Sequence, residues 1–304
     1  MKNLKQFIKR SVDFSANRRR NCDLLDRLLL AQGKQLQIWA RNLKNLSDIG
    51  DTEFRIFSQF GDDGIIQYIT SHIGAPPKTF IEFGVADYSE SNTRFLLMND
   101  NWSGLVLDAS AKNVRQIRSS SYYWMYDITA EQAFIDAENI NALLSRRTFP
   151  EVGVLHIDID GNDYWVWNAI DSIDPALIIV EYNSVFGADR AITIPYDSNF
   201  KRTKAHYSNL YFGASLAALT SLAAQKGYAF VGSNRAGNNA YFVRRDLINR
   251  DVKEISTQAG YRVSKFRESR NKQGDLTYVS GVDRLRLIRG LPVFNVQTKQ
   301  IETL

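Results

Sequence analysis

Between positions 156 and 183 the sequence crowds oxygen-bearing side chains onto what read as two strand ends. His156-Ile157-Asp158-Ile159-Asp160-Gly161-Asn162-Asp163-Tyr164 closes one apolar run and opens a helix-like segment; Val180-Glu181-Tyr182-Asn183 closes the next run. Side chains alternate along a strand, so His156, Asp158 and Asp160 share one side. If the two runs are adjacent parallel strands, Asp158, Asp160, Glu181 and Asn183 converge. Four oxygen ligands suit a hard cation such as Mg²⁺ or Mn²⁺. Such an ion would orient a substrate hydroxyl and lower its pKa. A metal-free version uses Asp158 or a histidine as general base. His206, in a polar segment after Asn183, is the better placed histidine. His156 lies inside an apolar strand and reads as a satisfied core residue, and His72 lies near a helix end. A turn and helix cap would use one acid here; three acids in six residues exceed that need.

A second constellation lies earlier. One apolar run ends Ile81-Glu82-Phe83-Gly84-Val85-Ala86, and the next ends Val106-Leu107-Asp108. In open α/β sheets ligands bind beyond the carboxyl ends of the strands, where the winding reverses. Gly84 lets the backbone approach a ligand, and an acid about twenty residues on suits a ribose diol. Dinucleotide sites want G-x-G-x-x-G feeding pyrophosphate onto a helix N-terminus. After Gly84 come Val85, Ala86, Asp87, Tyr88, Ser89 and Glu90, with two acids and no further glycine. Those acids repel a pyrophosphate but suit S-adenosylmethionine (SAM), which has no phosphate and carries a sulfonium and an ammonium. Glu82 is expected to hold the methionine moiety and Asp108 the ribose.

These residues need a scaffold. Thr79–Val85, Gly104–Asp108, Gly153–Asp158 and Ala176–Tyr182 read as buried strands. Helical patterns lie at Gly64–Ile73, Ser91–Met98, Glu138–Leu144 and Tyr164–Ile170. Near-continuous apolar strands alternating with helices imply an α/β fold with a parallel sheet covered on both faces. Tyr228–Val231 and Ala240–Val243 are expected to form an antiparallel hairpin at one edge. Beyond about 253 the chain is polar with short strand-like pieces at Leu276–Val279 and Leu291–Val296, and is expected to wrap the domain.

With 304 residues, 44% of them hydrophobic, the chain can bury a full core. Its single cysteine, Cys22, excludes an internal disulfide framework and a Cys-based zinc cluster. No apolar run approaches the roughly 20 residues of a membrane helix. The N-terminus lacks a signal peptide's apolar stretch, so a cytoplasmic location is the expectation. Residues 1–47 hold eleven Lys/Arg against three Asp, a net +8 in a chain of +5, so the remainder carries −3. Basicity confined to the arm counts against a nucleic-acid substrate. The arm reads as helix with a heptad seam through Cys22, Leu25, Leu29, Leu36, Trp39, Leu43 and Leu46. That seam serves either packing on its own domain or pairing of two copies, and Gly33 interrupts it. Arg18-Arg19-Arg20 reads as a solvated face.

Several segments together resemble the FkbM-like methyltransferases, particularly the branch met in polysaccharide-biosynthesis clusters. They are FSQFGDDGII (57–66), IEFGVADYSESNT (81–93), HIDIDGNDYWVW (156–167), VEYNSVFG (180–187), YFGASLAAL (211–219), NNAYFVRRD (238–246) and FRESRNKQGDLTYVSG (266–281). The resemblance implies a class I SAM-dependent fold and methyl transfer to a hydroxyl of a sugar or related small molecule. Glu82, Gly84 and Asp108 match its cofactor positions, and Gln59, Asp63, Ser91 and Asn92 match flanking segments. Tyr88 stands where many relatives carry glycine. The expectation is therefore a basic arm (1–50), a methyltransferase domain (51–252) and a C-terminal extension (253–304), with a sugar or glycan acceptor. A non-catalytic scaffold of a glycan-assembly complex and a nucleic-acid methyltransferase are the alternatives.

Overall fold

The structure, a computed structural model, describes residues 24–147 and 149–304. The arginine cluster at 18–20 and Cys22 lie outside the described residues. Four strands form the buried centre: β1 (Thr79–Phe83), β2 (Ser103–Asp108), β4 (Val154–Ile157) and β5 (Leu177–Glu181), with β3 (Ile128–Gln132) outside β2. Nearly every residue of the central four is buried on both faces, which is why they appear as unbroken apolar runs. After a two-residue β6 (Ile192–Thr193), β7 (Tyr228–Ser233) and β8 (Asn239–Arg244) close the sheet. The strand order is β3-β2-β1-β4-β5-β8-β7. All pairs from β3 to β5 are parallel, whereas β8 runs antiparallel to both β5 and β7. This is the doubly wound α/β sheet with the expected antiparallel edge hairpin. The winding reverses between β1 and β4, where the loops diverge and leave a crevice.

The described chain opens with α1, over 24–42. Further helices are α2 (Asp62–His72), α3 (Arg94–Asp100), α4 (Ala111–Arg118), α5 (Ser121–Met125), α6 (Ile140–Leu144), α7 (Asp163–Ala169), α8 (Arg202–Ala205), α9 (Leu216–Gln225), α10 (Thr257–Gly260) and α11 (Val282–Ile288). Alternation sorts the sheet side chains into two cores. Ile81, Phe83 and Leu107 pack with α6, α7 and α9 on one face, including Trp167 and Leu219. Phe80 and Val106 pack with α2, α3 and α4 on the other, including Ile66, Leu97 and Val114.

Of the two uses open to the seam, packing on its own domain is seen within the chain. Leu29 and Leu36 pack beside Ala40 on Phe54, Ile56, Phe57 and Phe95, and Leu43 and Leu46 pack on the sheet core. Leu25 and Trp39 are exposed. Gly33 marks the closest approach, since a β-carbon there would lie 2.6 Å from the Phe95 ring. The C-terminal extension folds back: β9 (Pro292–Asn295) pairs with β10 (Gln300–Thr303) and with β6. The piece at 276–279 forms no strand, only a bridge between Arg270 and Leu276. Among the described residues, no helix is long and apolar enough to cross a membrane.

Candidate functional site

A cleft of about 520 Å³ opens over the carboxyl ends of β1, β2, β4 and β5. Gly84, Ala86, Asp108, Asp158, Asp160 and Glu181 line its floor, Phe134 and Ile135 one end, and Phe200, Arg202, Phe266 and Glu268 another wall. The Phe60 and Phe266 rings stack over it, with centroids 5.9 Å apart.

The loop after β1 carries three left-handed residues, Gly84 (φ 71), Ala86 (φ 47) and Tyr88 (φ 64). For the two with side chains this conformation costs about 1 kcal/mol each, and tertiary contacts hold it. Tyr88 is fully buried, its hydroxyl 2.9 Å from Thr93 Oγ1 and its ring against Tyr122. The tyrosine thus anchors the loop from beneath, and the tight turn survives without a glycine. Ala86 N–H donates to Asp108 Oδ2 at 2.8 Å, while Ser110 N–H and Asn113 Nδ2 donate to Oδ1 at 2.8 and 3.0 Å. Three donors fix the Asp108 carboxylate at the cleft edge, and a carboxylate has about four acceptor positions.

Glu82 departs from its expected role. Its carboxylate accepts from Ser91 Oγ (2.6 Å), from the N–H groups of Asn92 (3.0 Å) and Thr93 (3.2 Å), and from Thr93 Oγ1. His156 Nδ1 sits 2.9 Å away, and Asn92 Nδ2 meets His156 Nε2 at 3.1 Å. Burial pushes the Glu82 pKa up, but the His156 and hydroxyl contacts outweigh it and the net shift is downward. The His156 pKa is raised, Glu82 overcoming burial. Glu82, Ser91, Asn92 and His156 form a buried clamp behind the cleft, with no oxygen of Glu82 left for a ligand. Gln59 lines the cleft. Asp63 does not; its Oδ2 gathers the N–H groups of Ile56, Phe57 and Ser58 within 2.8 Å and so holds the loop carrying Gln59. Asp87 is taken by Ser89 and Gln116.

At the other end the ligand atoms of Asp158, Asp160 and Glu181 all lie within 4.8 Å of one another. Burial, then the Asp160 charge, pushes the Asp158 pKa up to about 7. Glu181 is driven well above its usual range by burial and Asp158, and its Oε2 is buried without a hydrogen-bond partner. Asn183 stands apart from the trio. The chain leaves β5 at Glu181 and turns at Ser184–Phe186, with Asn183 capping Val185 N–H and donating to the Leu210 and Phe212 carbonyls. Asp163, the first residue of α7, accepts from the Ile159 and Gly161 N–H groups and so holds the turn between β4 and α7, and no side chain caps the helix. His206 is bonded to Ser208 Oγ at 2.8 Å and does not line the cleft.

Sequence reasoning missed Arg202. Its Nη1 meets Asp160 Oδ1 at 2.6 Å, its Nε donates to the Asn209 carbonyl, and its guanidinium lies 3.8 Å over the Phe212 ring. It also missed Phe266, Glu268 and Asn162, whose Oδ1 is buried and unpartnered. Phe266 lies within one of the family-like segments, the one signal that pointed there.

No protein-family model matches the chain, and no curated protein matches it in sequence. Among solved structures it is similar to the N-terminal domain of EvdMO1 with SAH bound, at 12% identity over 71% of this chain and 94% of that one, TM-score 0.40. It is similar to the O-methyltransferase from Bacillus cereus in complex with SAH, at 14% identity over 71% and 90%, TM-score 0.38. It is also similar to the CurJ carbon methyltransferase, at 8% identity over 64% and 57%, TM-score 0.39. Likeness this distant says nothing of this chain's chemistry, and the fold class rests on its own strand order.

Proposed function

We propose that this chain is a SAM-dependent O-methyltransferase acting on a hydroxyl of a sugar or glycan precursor, of the FkbM-like kind. The observation that carries the reading is one cleft with two chemically distinct ends. Asp108, held at the edge by three N–H donors, suits a ribose diol, and Phe134 and Ile135 offer apolar surface for an adenine. Across β1, at the ends of β4 and β5, Asp158, Asp160 and Glu181 form the polar end. The family-like segments supply the sugar acceptor.

Bound SAM supplies a methyl group on a sulfonium, transferred by in-line displacement. The protein's part is to hold the attacking oxygen in line and to take its proton. Asp158 faces the cleft from the end of β4 and is the group positioned to orient the acceptor hydroxyl and receive that proton. Arg202 pairs with Asp160 and offsets part of that acid's repulsion of an ionised Asp158. A divalent cation also fits the donor set: three carboxylates reach a common point, and the orphaned Glu181 Oε2 lacks a partner. Asp158, Asp160 and Glu181 would hold it, and it would supply Lewis acidity toward the hydroxyl.

Incubation with SAM carrying a labelled methyl group and a panel of monosaccharides, sugar nucleotides and glycans tests the reading. Label transferred to a sugar oxygen is the expected result. Tight SAM binding with no transfer to any acceptor points instead to a non-catalytic scaffold.

A further inference from the structure

Helix α1 is apolar on two sides. Leu29, Gly33, Leu36 and Ala40 turn toward the domain, where they meet Phe54, Ile56, Phe57 and Phe95. The outer side carries Leu24, Leu25, Leu28, Ile38 and Trp39, which are 44 to 62% exposed. None of these five packs into a hydrophobic cluster. Exposed apolar side chains scattered singly are ordinary, whereas several gathered on one helix mark an interaction surface.

The exposed charges of α1 have one sign. Arg27, Lys34 and Arg41 are all exposed and fall seven residues apart, nearly two turns, so they form a stripe along the helix. Arg41 also reaches Asp100. The acid within the described helix, Asp26, is bonded to Arg94 Nη2 at 2.6 Å. The Arg94 guanidinium lies 5.0 Å from the centroid of the Tyr122 ring, which brings α5 beside the first turn of α1. Helix α5 exposes Trp124 and Met125, and α4 before it exposes Lys112 and Arg115. Ahead of α1 the sequence holds seven Lys/Arg within residues 1–20 against Asp13 alone. The arm through residue 47 is thus +8, and the body beyond it −3.

A helix with Leu and Trp outward and Lys/Arg beside them suits the interface of a bilayer, where apolar side chains enter the acyl boundary and cations meet anionic headgroups. The segregated charge turns the arm toward such a surface and the acidic body away from it. A second copy on the same face would bring two arms of +8 together, which like-charge repulsion opposes. We propose that the outer face of α1, with the basic stretch before it, docks on an anionic phospholipid surface, so that the protein rests on a membrane without crossing it.

The test is co-sedimentation of the full chain with vesicles of phosphatidylcholine alone and of phosphatidylcholine mixed with phosphatidylglycerol. The mixed vesicles should bind at least about tenfold more tightly, and the preference should shrink as salt is raised. Leu28→Gln together with Ile38→Gln removes apolar surface and leaves every charge in place; affinity for the mixed vesicles should fall at least about tenfold. Arg27→Gln together with Lys34→Gln should reduce the preference for the anionic vesicles. Thermal unfolding by circular dichroism checks that both variants fold. No binding of the wild type to the mixed vesicles overturns the proposal. So does binding undiminished by Leu28→Gln with Ile38→Gln, which would leave only charge attraction of the arm. Sedimentation velocity without lipid reads the competing occupant: a wild-type dimer that the same double substitution makes monomeric gives the face to a second copy and overturns the proposal too.

Discussion

The backbone of Gly84 passes so close beneath Asp158 that a β-carbon on residue 84 would overlap the Asp158 carbonyl oxygen. Residue 84 also has φ 71, a conformation side chains resist. The glycine therefore joins the two ends of the cleft, and no larger residue fits without pushing the end of β4 away. Gly84→Ala should lower the thermal midpoint by several degrees and weaken SAH binding by more than tenfold, the loops on both sides being displaced together. A folded Gly84→Ala with unchanged SAH affinity would show that the spacing of β1 and β4 does not set the site.

The buried Glu82–His156 pair gives stability a pH signature. The His156 pKa is raised above its ordinary 6.5, so its contribution is full below 6.5 and is lost as pH rises through the raised value. The Glu82 pKa is lowered from 4.5, so its contribution is full above 4.5 and is lost as pH falls through the lowered value. Removing one partner of a buried pair costs about 3–5 kcal/mol. The stability gap between wild type and His156→Gln, from denaturant unfolding, should be widest between pH 4.5 and 6.5 and narrow on either side. A gap independent of pH would mean the pair is not charged.

The carboxylate trio makes separable statements about turnover. Asp158→Asn should lose at least a hundredfold in activity while keeping its fold and SAH affinity. If a cation is held, chelation should abolish turnover and Mg²⁺ or Mn²⁺ should restore it. If Asp158 works alone, chelator has no effect and the rate falls as pH drops below about 7, where the carboxylate takes up its proton. Full activity of Asp158→Asn would remove Asp158 from the chemistry altogether.

Much of this architecture was legible because burial on both faces leaves a plain mark. β1, β2, β4 and β5 are apolar at nearly every position. β3 escaped notice because only Ile128 and Ala130 of its five residues are buried, too few to stand out. α4 was hidden likewise, with Val114 and Ile117 its only buried residues. The acids at 158, 160 and 181 could be placed from strand ends alone. Asn183 could not, because alternation stops applying once the chain turns at Ser184. Arg202 and Phe266 reach the cleft from segments without periodicity, separated from β4 by tens of residues, so only the folded chain reveals them.

The central claim is that the Asp108 end of the cleft holds the nucleoside of SAM. Calorimetric titration of wild type and Asp108→Ala with SAH tests it most directly, with far-UV circular dichroism checking that the variant folds. Charge-assisted hydrogen bonds of the kind a ribose makes to a carboxylate contribute about 1.5–3 kcal/mol each. The account predicts saturable one-to-one binding by the wild type and at least about tenfold weaker binding by the folded variant. No binding of SAH by the wild type, or equal affinity in both proteins, would contradict it.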